Sequence, residues 1–232
     1  EYRAHVMGEK DFSCCRLIFG EADRFPGLTV DRFGDVLVSE VLCLGMEKIK
    51  DIIYKELTAV LAGYGVAIKA LYERNDSKLR DKEGIPKYCG FYKSEGLAEN
   101  TDGHVIITEN RLDFDVDYVN GQKTGFFLDQ KYNRAAAARL ARGRRVLDCF
   151  THTGAFALNC AAAGSESVTA ADVSEEALKS ASRNAALNGL TGKVSFVNAD
   201  IFDLLTEMAR SGVCPYDYII LDHPAFTKSS DT

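Results

Sequence analysis

Four aspartates close four short apolar runs in the second half of the chain: Asp148 after RVL, Asp172 after SVTAA, Asp200 after KVSFVNA and Asp222 after YDYIIL. Between Asp148 and the apolar stretch that begins near Ala155 lies the turn CFTHTG, with Thr153 and Gly154 at its end. A strand that feeds a helix through a glycine-bearing turn presents free backbone N–H groups and the positive end of a helix dipole beside an acidic side chain. α/β proteins hold nucleoside-bearing ligands in this way. The spacing is not GxGxxG, and a turn with one glycine also serves simply to start a helix. The helix after Asp172 begins SEE, where Ser174 reads as the cap and Glu175 and Glu176 favour the N-terminal turn. So acidic a helix start does not cradle a phosphate, which points to a nucleoside without a pyrophosphate. In that arrangement Asp172 accepts the two ribose hydroxyls, and Asp200 receives an adenine amino group with Ile201 or Phe202 on the ring. Taken singly, each acid reads equally well as a helix cap; four in register are harder to assign to capping.

The elements that must position these residues follow from periodicity. From Arg145 onward strand and helix alternate strictly, which predicts a parallel sheet with right-handed crossovers and ligands at the C-terminal strand ends. Ahead of it, residues 1–15 read as a helical or irregular lead-in. Then RLIFGE, LTVDRF and DVLVSEVL read as strands, with a turn at Pro26-Gly27 and a hairpin at Gly34-Asp35. Glu47 to Leu61 carries Ile49, Ile52, Ile53, Leu57, Val60 and Leu61 at helical spacing, and Gly63 and Gly65 close that helix. AIKALYE reads as a strand, RNDSKLRDKEGIPK as a long polar loop of the kind that is often functional, and 105–108 and 112–119 as a strand pair. Strands, one helix and more strands make a small α+β domain. The segment NGQKTGFFLDQKYNR reads either as a loop whose Phe126 and Phe127 plug the core, or as a ligand-lining stretch using Lys123, Thr124, Asp129, Gln130 and Asn133.

The totals narrow the classes. The chain has 232 residues, 46% of them hydrophobic and 27% charged, enough apolar material for a real core. No apolar run approaches the roughly 18 residues of a membrane span, and a cytoplasmic protein is expected. Seven cysteines, unpaired in spacing and without a CxxC or Cys/His cluster, suit a reducing compartment and predict neither a disulfide framework nor a metal site. A net charge of −6 argues against nucleic-acid binding by bulk electrostatics. A local basic face remains open to RNA, from Arg74, Lys78, Arg80, Lys82 and Lys87 or from Arg139, Arg142, Arg144 and Arg145, although such runs are more often solvated surface. The oligomeric state stays open, a homodimer included.

The sites at Thr153-Gly154, Asp172 and Asp200 together resemble the S-adenosylmethionine pocket of class I methyltransferases. LDHPAFTKS resembles the motif that nucleic-acid methyltransferases carry at this position, an Asp or Asn followed by two prolines and an aromatic. Here His223 replaces the first proline, while Asp222, Pro224 and Phe226 remain. FGEADRFPGLTVDRFGDVLV, YERND, GQKTGFFLDQKYNR, VLDCFTHTGAF, ADVSEEAL, NADIFDLL and DHPAFTKS, spanning about residue 12 to 230, resemble the bacterial 23S rRNA cytosine-5 methyltransferases of the large-subunit methyltransferase I type.

That resemblance implies a Rossmann-like methyltransferase sheet at 120–232, of which the first four parallel strands are present, preceded by a small α+β domain at 16–119. It implies S-adenosylmethionine as cofactor and large-subunit ribosomal RNA as substrate. Lys123, Gln130, Asp148, Thr153, Gly154, Asp172 and Asp200 fall on the cofactor side, and Asp222 and Pro224 contact the target base. An N-terminal RNA-binding PUA domain and three further strands belong to the family pattern, so the chain reads as a fragment. Forming 5-methylcytosine requires a cysteine thiolate to add at C6 and a base to remove the C5 proton. The resemblance places that cysteine beyond Thr232, so these 232 residues alone are expected to be inactive. His152 reads as a turn residue and Cys149 as a small buried one. Two alternatives stand: methylation of an exocyclic amine of adenine or guanine, which needs no cysteine, and a binding module without activity.

Overall fold

A computed structural model describes residues 2–223. They form two compact units, one of residues up to 109 and 115–129, the other of 110–114 and from 130 onward.

The first unit opens with two short helices, α1 (Tyr2–Val6) and α2 (Glu9–Phe12). Then come β1 (Cys14–Phe19), β2 (Leu28–Phe33), β3 (Val36–Val41), α3 (Leu44–Gly63), β4 (Ala70–Asn75), the one-turn α4 (Leu79–Lys82) and β5 (Tyr88–Phe91). The strands form one sheet in the order β1-β2-β3-β4-β5. β1, β2 and β3 pair antiparallel, β3 and β4 parallel, β4 and β5 antiparallel. The parallel pair requires a crossover, and α3 supplies it, laying Tyr54 and Leu61 on the core of Leu28, Val30, Leu37, Val41 and Leu71. α3 is amphipathic as expected, but its buried face is Ile53, Tyr54, Leu57 and Leu61, whereas Ile49, Ile52 and Val60 of the expected stripe are 40%, 66% and 48% exposed. It starts three residues earlier than expected, at Leu44, and runs through Gly63, so that Gly65 at φ 76° makes the turn beyond it.

Two further departures have plain causes. β5 is unheralded, because YCGF is short, contains glycine and holds its place by pairing with β4. The polar loop contains α4, whose Arg80 is fully buried: its Nε donates to Pro86 O at 2.8 Å, and Nη1 and Nη2 donate to Glu47 Oε2 at 3.0 Å. Arg80 therefore leaves the expected basic face. Arg74 donates to Gly121 O, and Lys87 pairs with Asp81 at 2.7 Å.

β6 (His104–Glu109) and β7 (Leu112–Asp117) make a two-stranded sheet, turning through Asn110 and Arg111 at φ 53° and 69°. The second unit then runs α5 (Lys131–Ala141), β8 (Arg145–Cys149), α6 (Ala155–Ala162), β9 (Ser167–Asp172), α7 (Glu175–Leu187), β10 (Val194–Asn198), α8 (Ile201–Ser211) and β11 (Tyr218–Leu221). Its four strands are all parallel, in the order β10-β9-β8-β11. The chain winds outward from β8 to β9 and β10, then returns to the other side of β8. The sheet thus reverses direction at β8, and the crevice beyond the C-terminal end of such a strand is where open α/β sheets bind ligands. A doubly wound parallel sheet preceded by a mixed α+β unit is the fold class the sequence predicts, although the mixed unit is the larger of the two rather than a small one.

Candidate functional site

The turn that leaves β8 is held from three sides. Asp148, the last acid of β8 before Cys149, is buried at 1% exposure and faces inward. Its Oδ2 accepts from Thr151 Oγ1 at 2.6 Å and from Ala157 N, in the first turn of α6, at 3.0 Å. Burial pushes its carboxyl up to about 7, against the two hydrogen bonds and Arg134, which favour the anion; Asp222 adds to the upward shift. Asp148 therefore differs from the sequence picture of four alike strand-end acids: it braces the turn from beneath. Arg134 of α5, also buried, lies with its guanidinium 5.8 Å from the centre of the Phe156 ring, and nothing in the spacing of DQKYNR marks it.

The second hold is Asp172 at the end of β9. Its Oδ2 accepts from His152 N and its Oδ1 from Ser174 N, both at 2.9 Å. Thr151 N also donates to Ala171 O at 3.0 Å. The third hold is Asn184 of α7, whose Nδ2 donates to Thr153 O at 3.0 Å. Between these anchors Phe150 and His152 adopt φ of 59° and 51°, left-handed conformations that cost roughly 1 kcal/mol or more in a non-glycine residue. Gly154 at φ 80° opens α6. His152 is half-buried, and that burial lowers its pKa, so the ring is held neutral as a turn residue.

Around this turn the strand ends differ in exposure. Asp172 is half-buried, and Asp200 and Asp222 are exposed. Ser174 caps α7, accepting from Ala177 N at 3.2 Å, as its sequence context predicts. Asp200 caps α8, its Oδ1 accepting from Phe202 N at 2.8 Å and Asp203 N at 3.2 Å. Of the two candidates to cover an adenine ring, Ile201 is 2% exposed and packs with Leu147, Cys149 and Ala171. Phe202 is 57% exposed and meets Phe150 edge-on at 5.9 Å. Val173, next to Asp172, is 67% exposed. Apolar side chains left in solvent beside carboxylates make a surface suited to the flat face and hydroxyls of a nucleoside, and the acids suit a cationic ligand better than a phosphate.

The remaining candidates have the following surroundings. Lys123 lies in the first unit, exposed, with Nζ 4.4 Å from the Phe127 ring centre. Thr124 is buried and donates to Asp31 Oδ2 at 2.6 Å, where Arg16 Nε also donates at 2.7 Å to Oδ1. Thr124 thus serves that unit's core, as does Phe126 at 3% exposure, and the ligand-lining reading of Thr124 does not hold. Gln130 precedes α5 and accepts from Asn133 Nδ2 at 2.7 Å. Pro224 and Phe226 lie outside the described residues. Cys149 and Cys160 are buried, and burial raises their thiols to about 11 and about 12, so neither is a thiolate at neutral pH. Among the described residues no group of three or more His, Cys, Asp or Glu could hold a metal ion, and no helix is long and apolar enough to cross a membrane.

Residues 85–232 match the family model of S-adenosylmethionine-dependent methyltransferases. The chain belongs to that family. It is 41% identical over 97% of its length to the ribosomal RNA large subunit methyltransferase I of Shewanella denitrificans, of which it covers 54%. It is likewise 41% identical over 99% of its length to the protein of that name from Aeromonas hydrophila, covering 56%. The chain thus spans about half the length of these curated relatives. Among solved structures, it is similar to a Streptococcus mutans protein described as a candidate S-adenosylmethionine-dependent methyltransferase. That likeness has a TM-score of 0.78 at 25% identity and covers 99% of this chain and 58% of that one. In a methyltransferase of this family the strand ends of the second unit fit the donor in kind: a braced turn, a half-buried carboxylate, exposed apolar neighbours and acidic surroundings.

Proposed function

We propose that this chain carries the donor-binding part of an RNA methyltransferase that forms 5-methylcytosine in large-subunit ribosomal RNA. The first unit is then its central domain and the second its methyltransferase domain, with the boundary at 129/130 rather than the expected 119/120 and residues 110–114 joining the second unit. S-adenosylmethionine supplies an electrophilic methyl group on a sulfonium. The observation that carries the reading is the turn Thr151–Gly154, braced by Asp148 and Asp172 at the point where the sheet reverses. Asp172 is assigned to the ribose hydroxyls, Asp200 and Phe202 to the adenine, and Thr153 and Gly154 to the amino-acid end, with Asp148 holding the turn. Asp222 and Pro224 are assigned to the target base. Support for the substrate comes from the two ribosomal RNA methyltransferases to which the chain is 41% identical.

The C5 reaction needs a cysteine thiolate, and the high-lying thiols of Cys149 and Cys160 speak against those two in that role. The exposed Arg139, Arg142 and Arg144 are candidates for phosphate contacts, whereas Arg145 is tied to Asp217 at 2.7 Å. Calorimetric titration with S-adenosylmethionine is expected to show binding that Asp172→Ala abolishes. Mass spectrometry of rRNA methylated by the full-length protein is expected to find the label on cytosine C5. A label on an exocyclic amine would overturn the cysteine chemistry, and methylation by the 232-residue chain alone would overturn the placing of the nucleophilic cysteine outside it.

A further inference from the structure

The brace on the turn does not stop at the strand ends. α7 lies along the turn with one face, on which Ala181, Asn184 and Asn188 recur at helical spacing. Ala181 lies against Gly154, and Asn184, fully buried, donates from Nδ2 to Thr153 O at 3.0 Å. Asn188, at the C-terminal end of α7, donates from Nδ2 to Asn184 O at 2.8 Å and to Asp113 O at 2.7 Å, and its Oδ1 accepts from Asp113 N at 2.9 Å. Asp113 belongs to the tip 110–114 of the β6–β7 hairpin, which is part of the second unit although both flanks of the hairpin belong to the first. The tip is pinned again at Asn110, whose Nδ2 donates to Lys131 O and to Asn159 Oδ1, each at 3.1 Å.

A turn with two left-handed non-glycine residues persists only where its surroundings over-determine it. Asp148 fixes Thr151 and Asp172 fixes His152, so both carboxylate anchors grip the first half of the turn. The second half rests on α7 at Thr153 and Gly154, together with the bonds that open α6, Gly154 N to Thr151 O at 2.9 Å and Leu158 N to Gly154 O at 2.8 Å. We infer that Asn184 is a positioning residue for the amino-acid end of the methyl donor, and that Asn188 holds it in register by clasping the hairpin tip at Asp113. The inference rests on the reading of Thr151–Gly154 as a wall of the donor pocket. It gives the hairpin tip a part in donor binding although it lies far from the pocket in sequence.

The test separates positioning from plain stability by using two ligands. S-adenosylmethionine carries the amino-acid end; 5′-methylthioadenosine shares its nucleoside and lacks that end. Asn184→Asp keeps the shape but replaces the donating Nδ2 by an acceptor facing Thr153 O. On the 232-residue chain, calorimetry is expected to show S-adenosylmethionine binding weakened about tenfold or more, with methylthioadenosine binding changed less than about twofold. Asn188→Ala, which leaves the Thr153 contact in place, is expected to show the same selective loss at smaller size, and it keeps the test open if the first variant folds poorly. Equal weakening of both ligands, or no change in either, would overturn the inference. A wild-type chain that binds neither ligand would overturn the donor-site reading and the inference with it.

Discussion

Ala181 of α7 stands so close beneath Gly154 that a Cβ on the glycine would lie 2.9 Å from the Ala181 Cβ and 3.3 Å from its Cα. The glycine also sits at φ 80°, where an L side chain is strained whatever the space. Two independent penalties therefore fall on one substitution. Gly154→Ala is expected to cost roughly 2–4 kcal/mol of stability and to weaken S-adenosylmethionine binding at least about tenfold, since the turn must shift away from α7. Pairing it with Ala181→Gly, which removes the opposing methyl, should recover part of both losses. Urea unfolding followed by circular dichroism, suited to a chain without tryptophan, and calorimetry together decide it; a single variant indistinguishable from wild type would refute the close approach.

The buried Asp148 makes a prediction about pH. Its carboxyl is raised from 3.8 to about 7 in the folded chain. Between those values the folded state binds a proton that the unfolded state has released, so this group makes stability fall as pH rises from about 4 to about 7, and its effect levels off above. Linkage bounds the effect at about 4 kcal/mol. Both hydrogen bonds fall on Oδ2, so the carbonyl oxygen of an asparagine can accept both. Asp148→Asn is therefore expected to flatten this part of the pH profile, gaining on wild type as pH rises through the window. A wild-type-minus-variant difference that is constant from pH 5 to 8 would refute the burial of an ionising carboxylate here.

How much of this site was legible in the sequence depends on the range of the contacts. The alternation after Arg145, the caps at Ser174 and Asp200 and the acids at the strand ends are local patterns, and periodicity and helix-start chemistry expose them directly. Asp148 was visible as a strand-end acid, but its inward facing was not, because the pattern of an apolar run gives no sign of which polar neighbour it closes over. Asn184 and Asn188 read as ordinary polar positions on an amphipathic helix; their partners Thr153 and Asp113 are 31 and 75 positions away. Arg80 inverted the usual expectation for a charged loop. Composition places it on the surface, yet carbonyls and Glu47 satisfy its guanidinium well enough to bury it.

Asp200 does two jobs in the proposed site, and they can be separated. Its Oδ1 caps α8 through Phe202 N and Asp203 N, and the carboxylate is also assigned to the adenine amino group. Serine caps a helix about as well as aspartate but cannot offer the second oxygen or the charge. Asp200→Ser is expected to keep thermal stability near wild type while weakening S-adenosylmethionine binding about fivefold to tenfold. Asp200→Ala should lose the same binding and about 1 kcal/mol of stability as well. If the serine variant binds the donor as tightly as wild type, Asp200 is a cap and nothing more.

Arg80 supports a last prediction, on the first unit. Its guanidinium is fully buried, and its three nitrogens reach Pro86 O, Val41 O and Glu47 Oε2. Glu47 also takes Lys50 at 3.0 Å, and Lys50 in turn meets Glu73 at 2.8 Å, so the arginine ends a chain of charges that ties α4 to α3 and β4. Removing one member of a buried ionic network leaves its partners desolvated and uncompensated, which costs more than the pair itself contributes. Arg80→Ala is expected to destabilise the chain by roughly 3–5 kcal/mol. Arg80→Lys should restore little of this, because an ammonium is a compact point charge and cannot span the three acceptors that the planar fork reaches. S-adenosylmethionine affinity of the folded fraction should stay within about twofold of wild type, since Arg80 takes no part in the second unit's turn. Chemical denaturation with parallel calorimetry checks both halves, and a lysine variant as stable as wild type would show that the charge alone, not the fork, holds α4 in place.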